Sequence, residues 1–251
     1  MQALTKLLLN KKDNGGIKMK VIGLIGGMSW ESSVEYYRII NEEVKRRLGG
    51  LHSAKCLLYS VDFDEIERCQ SEGDWKKAGE VLGRAARSLE KGGADFIVIC
   101  TNTMHKVISD IQAKIDIPIL HIADAAAAQI KKKGIRSVGL LGTTYTMEQD
   151  FYKSRLELNG IKVIVPNDSE RELVNRVIYE ELCLGKIHQK SRDSYKKIIR
   201  GLVEAGAKGI VLGCTEIGLL VKPEDSEVPL FDTTCIHAIE AVNMSLKDNT
   251  V

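Results

Sequence analysis

The sequence predicts an α/β fold of two pseudo-symmetric lobes, each a parallel sheet flanked by helices, with a site in the cleft between them. Three observations carry this. Short apolar, β-branched runs alternate with longer segments of three- and four-residue apolar spacing, the pattern of parallel βαβ units with right-handed crossovers. Residues 93–103 and 206–216 share one plan: an apolar run, a small side chain with a hydroxyl or thiol, then polar residues. A constant offset of 113 residues sets Thr101 opposite Cys214. A strand ending in glycine recurs as well, at Gly26 and Gly142, 116 residues apart.

The elements follow in order. Residues 21–26 are an apolar run closed by Gly26-Gly27, a strand and its turn. Residues 31–48 carry Val34, Tyr37, Ile40, Val44 and Leu48 at helical steps, and Gly49-Gly50 ends them. Residues 55–63 read as a second strand, 74–92 as a helix stopped by glycine, and 96–100 as a third strand. Residues 105–114 are helical, 117–122 form a strand beginning near Pro118, and 123–133 form a helix. Its last turn holds Lys131, Lys132 and Lys133, where cations suit the helix dipole. The second half repeats the order: strand 137–141, helix 147–159, strand 161–165, helices 171–183 and 191–204, strand 209–213, a short strand at 228–231 and a closing helix at 234–246. The expected organisation is a leader at 1–18, outside the fold pattern and disordered, lobe one at 19–120 plus 232–251, and lobe two at 121–231.

Composition narrows the class. The chain has 251 residues, 44% hydrophobic and 28% charged, with a net charge of +2. That is an ordinary globular core without the electrostatic footprint of a nucleic-acid binder. No apolar run approaches the roughly 20 residues that span a bilayer. Leu7-Leu8-Leu9 is too short for an export signal, so a cytoplasmic location is expected. The six cysteines show no metal-binding spacing, and reduced thiols are expected.

Ligands of open α/β sheets bind beyond the carboxyl ends of the strands. Those ends are Gly26-Gly27-Met28-Ser29, the segment 62–70, Thr101-Asn102-Thr103, Gly142-Thr143-Thr144 and Cys214-Thr215-Glu216. No phosphate-binding glycine motif occurs among them. Cys214 stands where strand yields to helix, a place that favours thiolate, although a lone cysteine is more often a buried small hydrophobe. Cys100 rivals Thr101, because adjacent strand residues face opposite sides and a bulge would exchange them. Asn102, Thr103, Thr143, Thr144 and Thr215 suit helix caps and equally suit a bound carboxylate. Glu216 is either a first-turn residue or a group positioning Cys214. His105, His121 and His237 read as structural, since no carboxylate spacing marks a triad.

Gly26-Gly27-Met28, Cys100-Thr101-Asn102-Thr103-Met104-His105 and Gly213-Cys214-Thr215-Glu216 resemble the aspartate/glutamate racemase superfamily, in its aspartate racemase branch. The resemblance runs from Met19 to about Ser245. It implies racemisation of an amino acid without pyridoxal phosphate, one thiol on each face of the α-carbon, and a homodimer; no metal is expected either, since no cluster of ligands has metal spacing. Carried over, the second-lobe base is Cys214 and the first-lobe position is Thr101, a hydroxyl where the family expects a thiol. That departure looks like the L-aspartate/glutamate-specific or broad-specificity racemases. Glutamate racemases usually carry Asp-Ser and Cys-Thr-His where this chain has Met28-Ser29 and Cys214-Thr215-Glu216. Aspartate-selective relatives tend to supply an Arg after the second strand and a Lys before the glycine at 185; here stand Ile66-Glu67-Arg68 and Cys183. Met28, Gln70, Asn102, Thr103, Thr143, Thr215 and Glu216 are the expected substrate contacts. A single-thiol decarboxylase or cis–trans isomerase of the superfamily, or a non-catalytic amino-acid binder, stays open beside the racemase.

Overall fold

The computed structural model describes residues 19–247. The expected leader, residues 1–18, lies outside them. The described chain runs β1 (Ile22–Gly26), α1 (Trp30–Leu48), β2 (Cys56–Ser60), α2 (Phe63–Ser71), α3 (Trp75–Lys91), β3 (Phe96–Ile99), a 3-10 turn Thr103–Val107 leading into α4 (Ile108–Gln112), and β4 (Ile119–Leu120). It continues α5 (Ile122–Lys132), β5 (Ser137–Gly142), α6 (Thr144–Glu148), α7 (Asp150–Glu157), β6 (Lys162–Ile164), α8 (Asp168–Glu180), a 3-10 turn Leu182–Leu184, α9 (Gln189–Glu204), β7 (Ile210–Gly213), α10 (Ile217–Leu220), β8 (Leu230–Asp232) and α11 (Thr233–Leu246).

These strands make two parallel four-stranded sheets of the same order, β2-β1-β3-β4 and β6-β5-β7-β8. The duplication read from the sequence is thus a duplication of topology. Both faces of each sheet are covered. On the first sheet, α3 and α4 bury Leu82, Leu89 and Ile111 against Ile25, Ile97 and Ile99, while Tyr36 and Ile40 of α1 cover Leu24 and Val98. On the second, α8 and α9 bury Val174, Ile178 and Ile198 against Leu141 and Leu212, and α5 and α7 cover Val138 and Leu140. The chain crosses from β4 into α5, which packs on the second sheet. It crosses back from β8 into α11, whose Ala238, Ala241 and Val242 join the first-sheet core. Among the described residues no helix is long and apolar enough to cross a membrane.

Local chemistry sets the boundaries. Ser29 caps α1 by accepting from the Ser32 N–H, and Gly49, at φ 71°, ends it. Asn167 and Glu170 form a reciprocal capping box on α8. Gly27 sits at φ 91°, and a Cβ there would run into the Val61 backbone, so only glycine lets the chain leave β1 toward the cleft.

Three expectations change. The strand expected over 55–63 stops at Ser60, because β2 is an edge strand and its ladder with β1 ends at Gly26 opposite Ser60. The strand-end segment at 62–70 is helical: Asp62 accepts from the Asp64 N–H at 3.2 Å and starts α2, which buries Ile66, Cys69 and Gln70. The helix expected over 147–159 is two helices, broken where Gln149 turns extended at ψ 155°.

Candidate active site

The strand ends of both sheets converge on one small cleft, lined by Met28, Phe63, Gln70, Thr101, Asn102, Thr103, Thr143, Ile178, Tyr179, Cys183, Gly213, Cys214 and Glu216. Parallel strands present their carboxyl-end loops on one edge, so side chains far apart in sequence meet there. Every expected site residue except Thr215 lines this space. Thr215 lies behind it, buried, with its hydroxyl donating to Glu216 Oε2 at 2.7 Å.

Thr101 and Cys214 both border the cleft. Cys100 does not: it is fully buried in the core between α1, α11 and the first sheet, with its Sγ 3.9 Å from the Val98 carbonyl. The alternation of side chains along β3 accounts for the separation.

Glu216 is the electrostatic centre of the site. It is 2% exposed. Its Oε1 accepts from the Ser29 hydroxyl at 2.8 Å and from the Ser29 N–H at 3.4 Å, and its Oε2 accepts from Thr215 Oγ1 and, at 2.9 Å, from Cys214 Sγ. Four donors replace the water that burial removes. Ser29 belongs to the first half of the chain, so this carboxylate also ties the halves together.

The thiolate expected at Cys214 is corrected by this arrangement. Burial and the neighbouring Glu216 carboxylate push its thiol well above the ordinary range. The helix that follows, α10, is only one turn, too short for its dipole to offset them. Cys183, across the cleft, is likewise pushed up by burial.

Polar contacts close the remaining walls. Thr103 and Thr143 hydroxyls meet at 3.0 Å, joining the loops that follow β3 and β5, and Thr143 also caps α6. Asn102 Nδ2 donates to Thr233 Oγ1 at 3.0 Å, and that hydroxyl donates to the Leu212 carbonyl. Asn102 Oδ1 is buried with no hydrogen-bond partner. Gln70 accepts from the Tyr179 hydroxyl on its side chain at 3.0 Å and from the Tyr145 hydroxyl on its carbonyl at 3.1 Å, while its Nε2 donates to Met104 Sδ. Helix α2 is thereby pinned to α6 and α8 over the cleft.

Phe63, Ile178 and Tyr179 were not foreseen as site residues, and Cys183 was marked only as standing where aspartate-selective relatives tend to supply a Lys. Phe63, Ile178 and Tyr179 read as core positions in sequence, and only a helix whose end reaches the cleft distinguishes them. Thr144, the remaining capping candidate, donates its N–H to Asn175 Oδ1 at 2.9 Å.

The three histidines form a buried cluster where the chain crosses between sheets. His105 Nδ1–H donates to the Thr101 carbonyl at 2.9 Å, and its Nε2 accepts from the Ile122 N–H. His121 Nδ1 accepts from the Ala123 N–H and caps α5. His237 Nε2–H donates to the Leu120 carbonyl, and its Nδ1 accepts from the Tyr36 hydroxyl. Each ring is held neutral by a donor aimed at its lone pair. Burial pushes His121 and His237 down to about 3 and His105 well below its usual value.

A family profile described as Asp/Glu/hydantoin racemase matches residues 25–241. The chain is similar to the crystal structure of a candidate Asp/Glu racemase from Yersinia pestis, at 60% identity and a TM-score of 0.85, covering 91% of this chain and all of that one. It is also similar to an aspartate racemase homologue from Pyrococcus horikoshii, at 38% identity and a TM-score of 0.77, covering 90% of this chain and 99% of that one. By sequence it is similar to the broad-specificity amino-acid racemase RacX of Bacillus subtilis, 24% identical over 239 residues that cover 90% of this chain and 98% of RacX. With its duplicated sheets meeting at one thiol-bearing cleft, the chain belongs to the Asp/Glu/hydantoin racemase family.

Proposed function

We propose that the chain is a cofactor-independent amino-acid racemase acting by two-base proton transfer, with Cys214 on one face of the α-carbon and Thr101 on the other. The observation that carries this is the meeting of the two duplicated positions, Thr101 and Cys214, in one small cleft. Cys214 removes the α-proton of the L-amino acid and Thr101 supplies a proton to the opposite face. Cys214 then gives up the abstracted proton and Thr101 regains one, exchanged through water, so the site resets with no net change in protons. The carbanion-like state needs dipoles arranged in advance in a site that excludes bulk water. Hydroxyls of Thr103 and Thr143 suit the substrate carboxylate. The partnerless Asn102 Oδ1 suits its ammonium group, which would satisfy a buried acceptor. Met28, Gln70, Thr215 and Glu216 complete the contacts or brace them.

The substrate is L-aspartate, L-glutamate or a broader set of L-amino acids. Phe63, Ile178, Tyr179 and Cys183 give the cleft a wall without a fixed charge, which favours the broader set and agrees with the similarity to RacX. A homodimer belongs to the same proposal. Helix α1 exposes Trp30, Val34 and Tyr37 on one face, and β2 exposes Leu58 and Tyr59 at the sheet edge, an apolar surface suited to a second copy. A cytoplasmic location fits a working thiol, which needs a reducing compartment.

The test is α-deuterium exchange of L-amino acids in heavy water, followed by NMR. Exchange is expected in the wild type and is lost in Cys214→Ala, a mild packing change at a cleft wall. Wild-type exchange in a folded Cys214→Ala protein, or carbon dioxide or fumarate as product, would overturn the assignment.

A further inference from the structure

We propose that Glu216 is the proton acceptor that turns Cys214 into a base. The proposal rests on the racemase reading and deepens it. The geometry is direct: Cys214 Sγ donates to Glu216 Oε2 at 2.9 Å, and among the described residues no other side chain is hydrogen-bonded to that sulfur. The carboxylate is 2% exposed and is held from the other side by Ser29, so it cannot swing away.

The chemistry follows from charge. A thiolate beside this carboxylate would place two negative charges in contact inside a closed site. Ionisation of Cys214 therefore has to keep the charge of the pair constant, and moving the proton along the existing hydrogen bond does so. The S–H bond breaks with its electron pair left on sulfur, and an O–H bond forms on Oε2. The thiolate then takes the α-proton: Cα–H breaks, S–H forms again, and the electron pair stays on Cα, delocalised into the substrate carboxylate; after Thr101 protonates the other face, the extra proton leaves Glu216 for water and Thr101 regains one, which restores the starting thiol and carboxylate. Thr215, whose hydroxyl donates to the same Oε2, can rotate to accept from the new O–H. The pair holds one shared proton more than a bare thiolate and carboxylate would.

The duplication supplies an internal comparison. At the 113-residue offset, Thr103 holds the place of Glu216, and it bonds Thr143. A threonine therefore suffices to brace a strand-end loop, so bracing alone does not call for a buried carboxylate next to the thiol. Other titratable groups facing Cys214 stay neutral through the neutral range: Cys183 and Tyr179 across the cleft and Tyr195 behind it are all pushed up by burial. Glu31 is felt at Cys183 and does not bond Cys214.

The test reads kcat/KM for α-deuterium exchange of the L-substrate from pH 6 to pH 8. With internal transfer the wild-type rate is flat, because thiolate forms at the expense of Glu216 and not of solvent hydroxide. Glu216→Gln keeps the shape, loses the acceptor, and should lower kcat about 100-fold at neutral pH with KM little changed. Its residual rate should rise about tenfold per pH unit. A wild-type rate that itself rises about tenfold per unit overturns the relay, and so does wild-type exchange in Glu216→Gln. If Glu216→Gln fails to fold, the wild-type profile alone decides. A wild type that exchanges no amino acid defeats the racemase reading and the relay together; exchange with a sloping profile defeats only the relay.

Discussion

Mild acid should destabilise this protein through its histidine cluster, and the size of the effect can be worked out. His105, His121 and His237 are 1%, 4% and 0% exposed, and the His105 ring lies tilted against His121 and edge-on to His237 at centroid distances of 4.6 Å and 5.9 Å. Each has a lone pair committed to a buried donor, so protonation turns an acceptor into a donor facing a donor. In the unfolded chain each titrates near its ordinary value of about 6.5; in the folded chain His121 and His237 titrate at about 3 and His105 also well down. The unfolded state therefore binds more protons between about pH 6.5 and pH 3. Stability is full above that window and falls as pH falls through it. Each histidine costs up to about 1.4 kcal/mol per pH unit. From pH 7 to pH 5, His121 and His237 together remove about 4 kcal/mol, and His105 adds in the same sense. That is a large share of a typical stability of about 5–15 kcal/mol. Stopping at pH 5 stays above the range where Glu43, held down to about 2 by Arg46 and Arg47, begins to matter. Urea melts at pH 7 and pH 5 should differ in midpoint by about 1.5–2 M for an m-value of about 2–3 kcal/mol/M. His121→Asn keeps the cap on α5 and should shrink the difference by about a third. An unchanged midpoint between the two pH values would refute neutral, donor-locked histidines.

Two further substitutions test the cleft. Thr101→Cys should raise α-deuterium exchange of the D-substrate more than that of the L-substrate, because a thiol ionises far more readily than a hydroxyl; Thr101→Ala should depress turnover, and Cys100→Ala, confined to the core, should leave exchange rates unchanged. The opposite result for the last pair would make Cys100 the first-lobe base. Gln70→Ala removes the side-chain tie from α2 to Tyr179 and should raise KM about tenfold, the worth of roughly one hydrogen bond left unmade, with a smaller effect on kcat; steady-state kinetics with unchanged KM would show that the tie does not hold the cleft closed.

The alternation of strands and helices was legible because β-branched runs and helical spacing are local signals, and the duplication made the strand-end loops legible as one site. What escaped was set by contacts between distant parts of the chain. Helix α2 hid because Asp64, Glu65, Glu67 and Arg68 crowd its exposed face and leave only Ile66, Cys69 and Gln70 to mark the buried one. The position of Cys214 after a strand suggested a lowered pKa. Whether Glu216 turns inward, accepts from Ser29 and raises that pKa instead depends on a loop 187 residues away. Ile178 and Tyr179 look like any apolar helix residues until α8 is laid beside the cleft.

The duplication is broken at two linked positions, and the link explains the asymmetry of the site. Cys214 faces Thr101, and Glu216 faces Thr103. The half that carries an acid able to lose its proton also carries, two residues on, a carboxylate able to take it. The half with the hydroxyl has a second hydroxyl there, paired to Thr143. A threonine hydroxyl is too weak an acid for a carboxylate to deprotonate, so a glutamate at 103 would add a buried charge without making a base. It follows that Thr101→Cys alone yields a thiol with no internal acceptor. Its D-face exchange should rise with pH while L-face exchange by Cys214 stays flat. Only Thr101→Cys combined with Thr103→Glu would make the two faces alike. D-face exchange by the single variant that is as independent of pH as the L-face would show that the thiol needs no such partner, and would remove the reason for Glu216 as well.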